Sequence, residues 1–389
     1  MSKNRAWLIY ILSFVSFMLG TLQYIFLGIL DQVAASIGIS VSEAGQLITA
    51  FALGSAIGTP VLILLASRMD QKRLLLLALS GIFISTIAIA VVPRYGCMLF
   101  FRAVLGMGFG VYMVSAFSVV AKLSEKDELA RATANLAIGN GLALVVGVPA
   151  ARLITASADW KLIFWGIGAM LFAAVIMLYM ALPHLAAENE TSITEQIRQL
   201  KNLKILSSFC VTLFMFIGYS SVSTYLAPYL STVWEMSVEK ISFVLMLLGI
   251  ASVAGAKIGG QLSDRFTPAK TLFISMFIQT AILVLVQIVP HIAFWAIILL
   301  CLWVLTVWIC GPILGVNLVV LAPSAAGVML SFNSSFVQFG FAGGAAIGGY
   351  MLDRFSIAAV IPIGIIAAAT AALIGIYSFK TPSKEFGKK

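Results

Sequence analysis

The sequence predicts an all-α membrane protein: twelve transmembrane helices in two pseudo-symmetric six-helix bundles. Three observations carry this expectation. Of 389 residues, 61% are hydrophobic and 10% charged, with a mean hydropathy of +1.07; a soluble domain carries roughly 25% charged residues. Apolar stretches of the length a helix needs to cross the hydrocarbon core, about 20 residues, recur along the chain. The ten-residue alternation of a membrane β-barrel is absent, and only helices or closed barrels satisfy every backbone group in lipid. Finally, the longest polar interruption, HLAAENETSITEQIRQLKNLK at 184–204, divides the apolar segments six and six. That gives an N-terminal bundle over 1–183, a cytoplasmic central loop over 184–204 and a C-terminal bundle over 205–389.

Taken in order, the first span is expected near 7–30. Lys3 and Arg5 precede it, and Val33-Ala34-Ala35 resembles a cleavage site. The apolar run exceeds the roughly 7–15 residues of a signal-peptide core, so it is read as an uncleaved helix. The second span, 44–66, stops at Arg68, Asp70, Lys72 and Arg73; the third, 74–92, stops at Pro93-Arg94. The fourth, 97–121, meets Lys122 and the run Glu125-Lys126-Asp127-Glu128, and Asp159 and Lys161 part the fifth, 131–155, from the sixth, 160–183. Beyond the central loop, 205–231 ends before Glu235, Glu239 and Lys240, and 241–263 ends at Asp264-Arg265. Pro290-His291 closes 270–290, Pro323 follows 292–321, Asp353-Arg354 closes 326–352, and the last span, 356–379, precedes a lysine-rich tail.

Lysine and arginine favour the cytoplasmic side of short loops. With the N-terminus inside, seventeen of the 24 Lys and Arg fall at cytoplasmic ends. Six (Arg94, Arg102, Arg152, Lys161, Lys240 and Arg354) fall at outer ends, and Lys257 lies within a span. Both termini are therefore expected in the cytoplasm, in a multi-pass protein of the bacterial inner membrane. The net charge of +9 reflects this topology and not a nucleic-acid partner. Cys97, Cys210, Cys301 and Cys310 form no CxxC pair, and with only His184 and His291 available no His/Cys metal cluster can be built. No cofactor is expected, and no enzymatic activity: an intramembrane hydrolase needs a nucleophile with an adjacent base or metal ligands.

The two halves echo each other. ILLASRMDQKRLLLL (63–77) ends the second span and GGQLSDRFTPAKTLF (259–273) ends the eighth, with a third echo in GGYMLDRF (348–355). Repeated bundles of this kind belong to secondary transporters, whose site lies at the repeat interface. Several segments, in order, resemble one family. GILDQVAASIGIS (28–40) and EAGQLITAFALGSAIGTP (43–60) resemble the opening of bacterial purine and arabinose efflux permeases. FFRAVLGMGFG (100–110) is similar to the arginine motif of the fourth span, GLALVVGVPAARL (141–153) to the antiporter motif of the fifth, and DWKLIF (159–164) to the entry of the sixth. With GGQLSDR (259–265), the chain is identified as a member of the major facilitator superfamily, in its twelve-span drug:proton antiporter branch. That resemblance implies the major facilitator fold, alternating access and exchange of a small solute for protons.

Arg102 stands in an apolar run without an acid. Ionisable residues inside spans are costly and face a cavity or a partner. Arg102 either snorkels to the outer interface or, as the resemblance implies, lines the central cavity and tunes a carboxylate. Related permeases carry an acid where this chain has Gln23, and none of its fifteen acids lies mid-span. Asp31, at the outer end of the first span, either reaches Arg102 as a coupling pair or caps the helix in water. At the cytoplasmic ends the resemblance implies a gate of Asp264 and Arg265 with Arg131, and a weaker N-terminal copy at Arg68, where Ser67 replaces the acid. Lys257 either snorkels or presents a cation to the cavity. Gln23, Tyr24, Asn135, Asn140, Tyr225, Asn317, Asn333 and Gln338 are the remaining candidate cavity residues, with inter-helix hydrogen bonding as the alternative for each.

The expected function is export of a small solute (purine- or nucleoside-like, sugar or drug) by alternating access, in exchange for protons, by a monomer. The alternatives are an uncoupled uniporter or importer of the same fold and a non-transporting membrane sensor.

Overall fold

The computed structural model describes residues 3–66, 68–125, 128–185, 202–266, 268–288 and 293–380. Most of the expected central loop thus lies outside the described residues. The helices are α1 (Lys3–Ile37), α2 (Val41–Leu53, continued through a π turn at Gly54–Gly58 into Thr59–Leu65), α3 (Gln71–Val91) and α4 (Tyr95–Leu123). Next come α5 (Leu129–Leu142, continued through a π turn at Ala143–Gly147 into Val148–Ser157), α6 (Lys161–Ala181), α7 (Leu203–Thr232) and α8 (Val238–Arg265). The chain finishes with α9 (Pro268–Ile288), α10 (Ala293–Leu321), α11 (Ala326–Arg354) and α12 (Val360–Lys380).

Among the described residues, eleven helices are long and apolar enough to cross a membrane. α11 has 29 residues but is less apolar. Its Gly, Ser, Asn and Gln are explained by its surroundings. Gly344 lies so close to α7 that an added Cβ would stand 2.4 Å from the Ile217 carbonyl, so small residues replace aliphatic ones where two backbones meet.

The joints have local causes. Gly38 takes a positive φ of 71° between α1 and α2, and Ser40 then starts α2 with a capping box. Its hydroxyl accepts from the Glu43 N–H (3.1 Å), and the Glu43 carboxylate accepts from the Ser40 N–H (2.8 Å). Asp70 caps α3 by accepting from Lys72 and Arg73 N–H groups, and its other oxygen accepts from the Leu185 N–H at 2.8 Å. That carboxylate therefore ties the α2–α3 joint to the end of α6.

Neighbouring pairs give the relative directions. α1 runs parallel to α5, since Gly20 meets Asn140 and Gly28 meets Val148. α2 runs antiparallel to α11, with Ser42 at Gly349 and the Thr49 hydroxyl donating to the Ala342 carbonyl. α5 runs antiparallel to α8, with Gly141 at Val253 and Leu144 at Gly249. We call the end where α1 begins proximal and the end where it gives way to α2 distal. At the distal end α2 closes on α11, and α1 and α5 close on α8. Towards the proximal end α2 is exposed around most of its circumference, with Val61 at 48%, Leu62 at 37%, Leu64 at 49% and Leu65 at 79%. Ile138 and Leu142 of α5 and Leu330 of α11 are exposed as well. The two halves of the chain meet at the distal end and part at the proximal one.

Candidate functional site

The fully buried Arg102 of α4 makes neither of the contacts expected of it. Its Nε donates to the Leu47 carbonyl of α2 at 3.1 Å, Nη1 to the Leu22 carbonyl of α1 at 2.7 Å, and Nη2 to the Gln23 carbonyl at 3.4 Å. The guanidinium plane lies between the Phe26 and Phe51 rings, 4.8 and 4.6 Å from their centroids. Carbonyl dipoles and aromatic quadrupoles thus stabilise the charge without a carboxylate. Arg102 does not snorkel and does not open onto a cavity in this structure. It clamps α4 to α1 and α2.

Asp31 pairs with a different arginine. Arg152 of α5 is buried and holds both Asp31 oxygens, at 2.8 and 3.0 Å, while Nη1 also donates to the Gly28 carbonyl at 2.6 Å. The expected Asp31–Arg102 pair is therefore replaced by Asp31–Arg152, because Arg152 reaches the far end of α1 from the parallel α5. Beside it the Thr155 hydroxyl bonds to Gln32, and Trp160 Nε1 donates to the Ser36 hydroxyl at 3.1 Å.

Between the halves of the chain runs a narrow cleft with a water-accessible volume of about 40 Å³. One wall is Leu27 of α1 with Leu144 and Val148 of α5; the other is Tyr219, Ser223 and Leu226 of α7, Leu245, Leu248, Gly249 and Ser252 of α8, and Trp303 and Val304 of α10. Tyr219 is the centre of an aromatic cluster. Its ring lies 5.5 Å from Trp303, 5.7 Å from Phe341 and 6.2 Å from Trp308, and Tyr24 reaches Phe341 at 6.4 Å. Sequence reasoning missed Tyr219, Ser223, Ser252 and Trp303. The available signal was aromatic residues near mid-span, where the aromatic belts of the two interfaces do not explain them.

The remaining candidates divide by position. Gln23 stands one turn before Leu27 on the same face of α1, and Asn140 one turn before Leu144 on α5. Gln23 Oε1 and Asn140 Nδ2 are buried without a hydrogen-bond partner. Asn135 lies about 180° around α5 from Leu144 at 100° per residue. Tyr225 belongs to the distal closure: its hydroxyl donates to the Ala345 carbonyl at 2.7 Å and fills the space at Gly45 and Gly349. Asn317 donates to the Ser208 hydroxyl at 3.0 Å and Asn333 accepts from Thr212 at 2.8 Å, both joining helices to α7. Gln338 is buried on α11, one turn before Phe341. Lys257 is exposed about 140° around α8 from Ser252, on the flank shared with Ile250, so the snorkelling alternative fits its place. Arg68, Arg131 and Arg265 are exposed. The Asp264 side chain, and with it the expected contact to Arg131, lies outside the described residues.

A family model described as Major Facilitator Superfamily matches residues 12–345. The uncharacterized MFS-type transporter YbcL of Bacillus subtilis (strain 168) is 34% identical over 98% of both chains. YtbD of the same organism, also an uncharacterized MFS-type transporter, is 30% identical over 88% of this chain and 87% of its own. The inner membrane transport protein YdhP of Escherichia coli (strain K12) is 25% identical over 92% of each. Among solved structures, a bacterial homolog of the human lysosomal transporter Spinster, inward-facing and occupied, superposes with a TM-score of 0.79 at 15% identity, covering 97% of each chain. Its unoccupied inward-facing form gives 0.76, covering 98% of this chain and 100% of that one.

Proposed function

The chain belongs to the Major Facilitator Superfamily, and from that premise we propose a secondary transporter that exports a small planar polar solute, purine- or nucleoside-like, in exchange for protons. In this reading α1–α6 and α7–α12 are the two six-helix bundles, α11 is the twelfth span, and the 184–204 connection is cytoplasmic. The proximal end then faces the cytoplasm and the structure is open inward, with the distal seam shut. Alternating access moves the opening from one end to the other as the halves rock about the cleft.

The observation that carries the proposal is the cleft itself: it lies between the two halves, where rocking exposes it to either side. Its ring cluster suits stacking on a planar solute, and the buried Gln23 Oε1, one turn from the cleft residue Leu27, lacks a partner that such a solute supplies. Asp31, gripped by Arg152, is the carboxylate for proton exchange, and Arg102 clamps α4 to α1 and α2. One observation favours a second reading, an uncoupled carrier: the residues lining the cleft include no carboxylate.

Purified protein in liposomes with an internal pH dye distinguishes these readings. Gradients of purines, nucleosides, sugars and cationic drugs are imposed in turn. Proton movement driven by one planar class, and lost in Asp31→Asn, is the expected result. Solute flux without proton movement overturns the exchange and leaves the uncoupled carrier; no flux of any solute overturns the choice of substrate class.

A further inference from the structure

We propose that Arg152 is the positioning residue of a distal latch: gripping Asp31, it fixes the bend of α1 on which α8 closes, and protonation of Asp31 from the distal side releases it. The inference deepens the transport reading above and rests on it.

α1 leaves helical geometry at Ile29 (φ −121°, ψ 16°). The Arg152 guanidinium straddles this bend. It donates to the Gly28 carbonyl just before it, at 2.6 Å, and to both oxygens of Asp31, two residues after it, at 2.8 and 3.0 Å. A bidentate pair fixes direction as well as distance, so α5 sets the course of the last turns of α1. Val148, one turn before Arg152, packs on Gly28, where an added Cβ would lie 2.7 Å from Cγ1; Leu245 of α8 reaches the same glycine at 3.7 Å. Gly249 of α8 meets the Leu144 carbonyl, 2.4 Å from an added Cβ. The contacts that close α8 on α1 and α5 thus run through the backbone that the pair holds in place.

The Arg152 side chain is 2% exposed and that of Asp31 23%, so the carboxylate is the member that meets water. Other charged or titratable groups at this end are Glu43 of α2, bonded to Ser40, and Arg94 and Tyr95 at the start of α4. Asp159 and Lys161 at the start of α6 pair with each other at 3.5 Å, Tyr225 and Tyr229 lie in the last turns of α7, Glu235 follows it, Glu239 and Lys240 begin α8 on exposed positions, and Tyr350, Asp353 and Arg354 end α11, also exposed. Among the described residues none of these bonds to Asp31. Protonation removes the charge and the two-oxygen grip, leaving the buried guanidinium one neutral carboxyl oxygen and the Gly28 carbonyl, with Nε already without an acceptor. Removing one partner of a buried pair is strongly destabilising, and the backbone that the pair holds is the surface on which α8 rests in this structure.

The test is hydrogen exchange by mass spectrometry on the full chain in nanodiscs, comparing wild type with Asp31→Asn at neutral pH. Segments 28–37, 144–157 and 238–249 are expected to exchange about tenfold faster or more in the variant, with 71–91 unchanged. Wild type in acid, corrected for intrinsic exchange, should match the variant, and Asp31→Glu should restore protection. Unchanged protection of the three segments in Asp31→Asn, or equal loosening of every segment, overturns the latch. Solute flux measured in parallel separates the two claims. Flux with unaltered protection in Asp31→Asn rejects the latch alone, and faster exchange without any flux in wild type upholds the latch and rejects the transport reading.

Discussion

Arg102→Lys is expected to destabilise the protein more than Arg102→Met, although lysine keeps the charge. The guanidinium makes three bonds in three directions, to carbonyls on α1 and α2 at 2.7, 3.1 and 3.4 Å, and fills the gap between two phenylalanine rings. An ammonium is a compact point charge that cannot stack between those rings or span both helices. Losing two bonds to a charged donor, about 1.5–3 kcal/mol each, while the charge stays buried gives a net cost of about 3 kcal/mol after relaxation. Methionine loses the same bonds, but it also removes the buried charge. Leu22, Gln23 and Leu47 lie inside regular helix, so their carbonyls keep their own N–H partners and none is orphaned. Replacing a buried ion by an apolar residue of similar volume is often close to neutral, and about 1 kcal/mol is expected here. The assay is the apparent melting midpoint of purified protein in detergent, followed by gel-filtration recovery after heating. A lysine variant that melts above the methionine variant would refute the carbonyl-and-ring cage and point to an anionic partner for Arg102.

Further outcomes follow from the same geometry. Gly249→Val places side-chain atoms against the Leu144 carbonyl, so the distal end should fail to close; distal cysteine labelling should rise, and unchanged labelling would refute the seam. Trp303→Ala removes one ring from the wall of the cleft and should weaken solute binding by about 2 kcal/mol or more, read by calorimetry on the purified protein. Gln23→Ala should likewise lower affinity for a purine while leaving the melting midpoint within a degree or two, since Oε1 bonds nothing in the protein. Lys257→Ala should leave flux within about twofold, because the side chain stands off the cleft face; a large loss would place the cation in the solute path.

Much of the architecture was legible in composition. Helix positions follow from the demand that backbone polar groups bond internally in lipid, and the charged joints marked their ends closely: the second span expected at 44–66 forms over Val41–Leu65. The site was less legible. Arg102 announced itself as a charge in an apolar run, yet its partners are backbone carbonyls, which every residue carries and no sequence pattern displays. Arg152 stands in a segment that resembles an antiporter motif, but its bond to Asp31 spans 121 residues. Tyr219 and Trp303 looked like ordinary members of apolar spans, since nothing in one helix says which of its faces meets the other half of the chain.

What the sequence by itself determined is a solvent and a set of spans: an apolar chain of helix-length segments with charged joints. These are sums over local terms, hydropathy and Lys/Arg placement, that need no knowledge of neighbours. Which arginine holds Asp31, which residues line the cleft and which end of it is shut were decided only by tertiary structure. Those answers depend on helix rotation and on contacts as close as Gly28 to Val148 and Gly249 to Leu144, where the absence of a side chain lets two backbones meet and brings distant residues within bonding range.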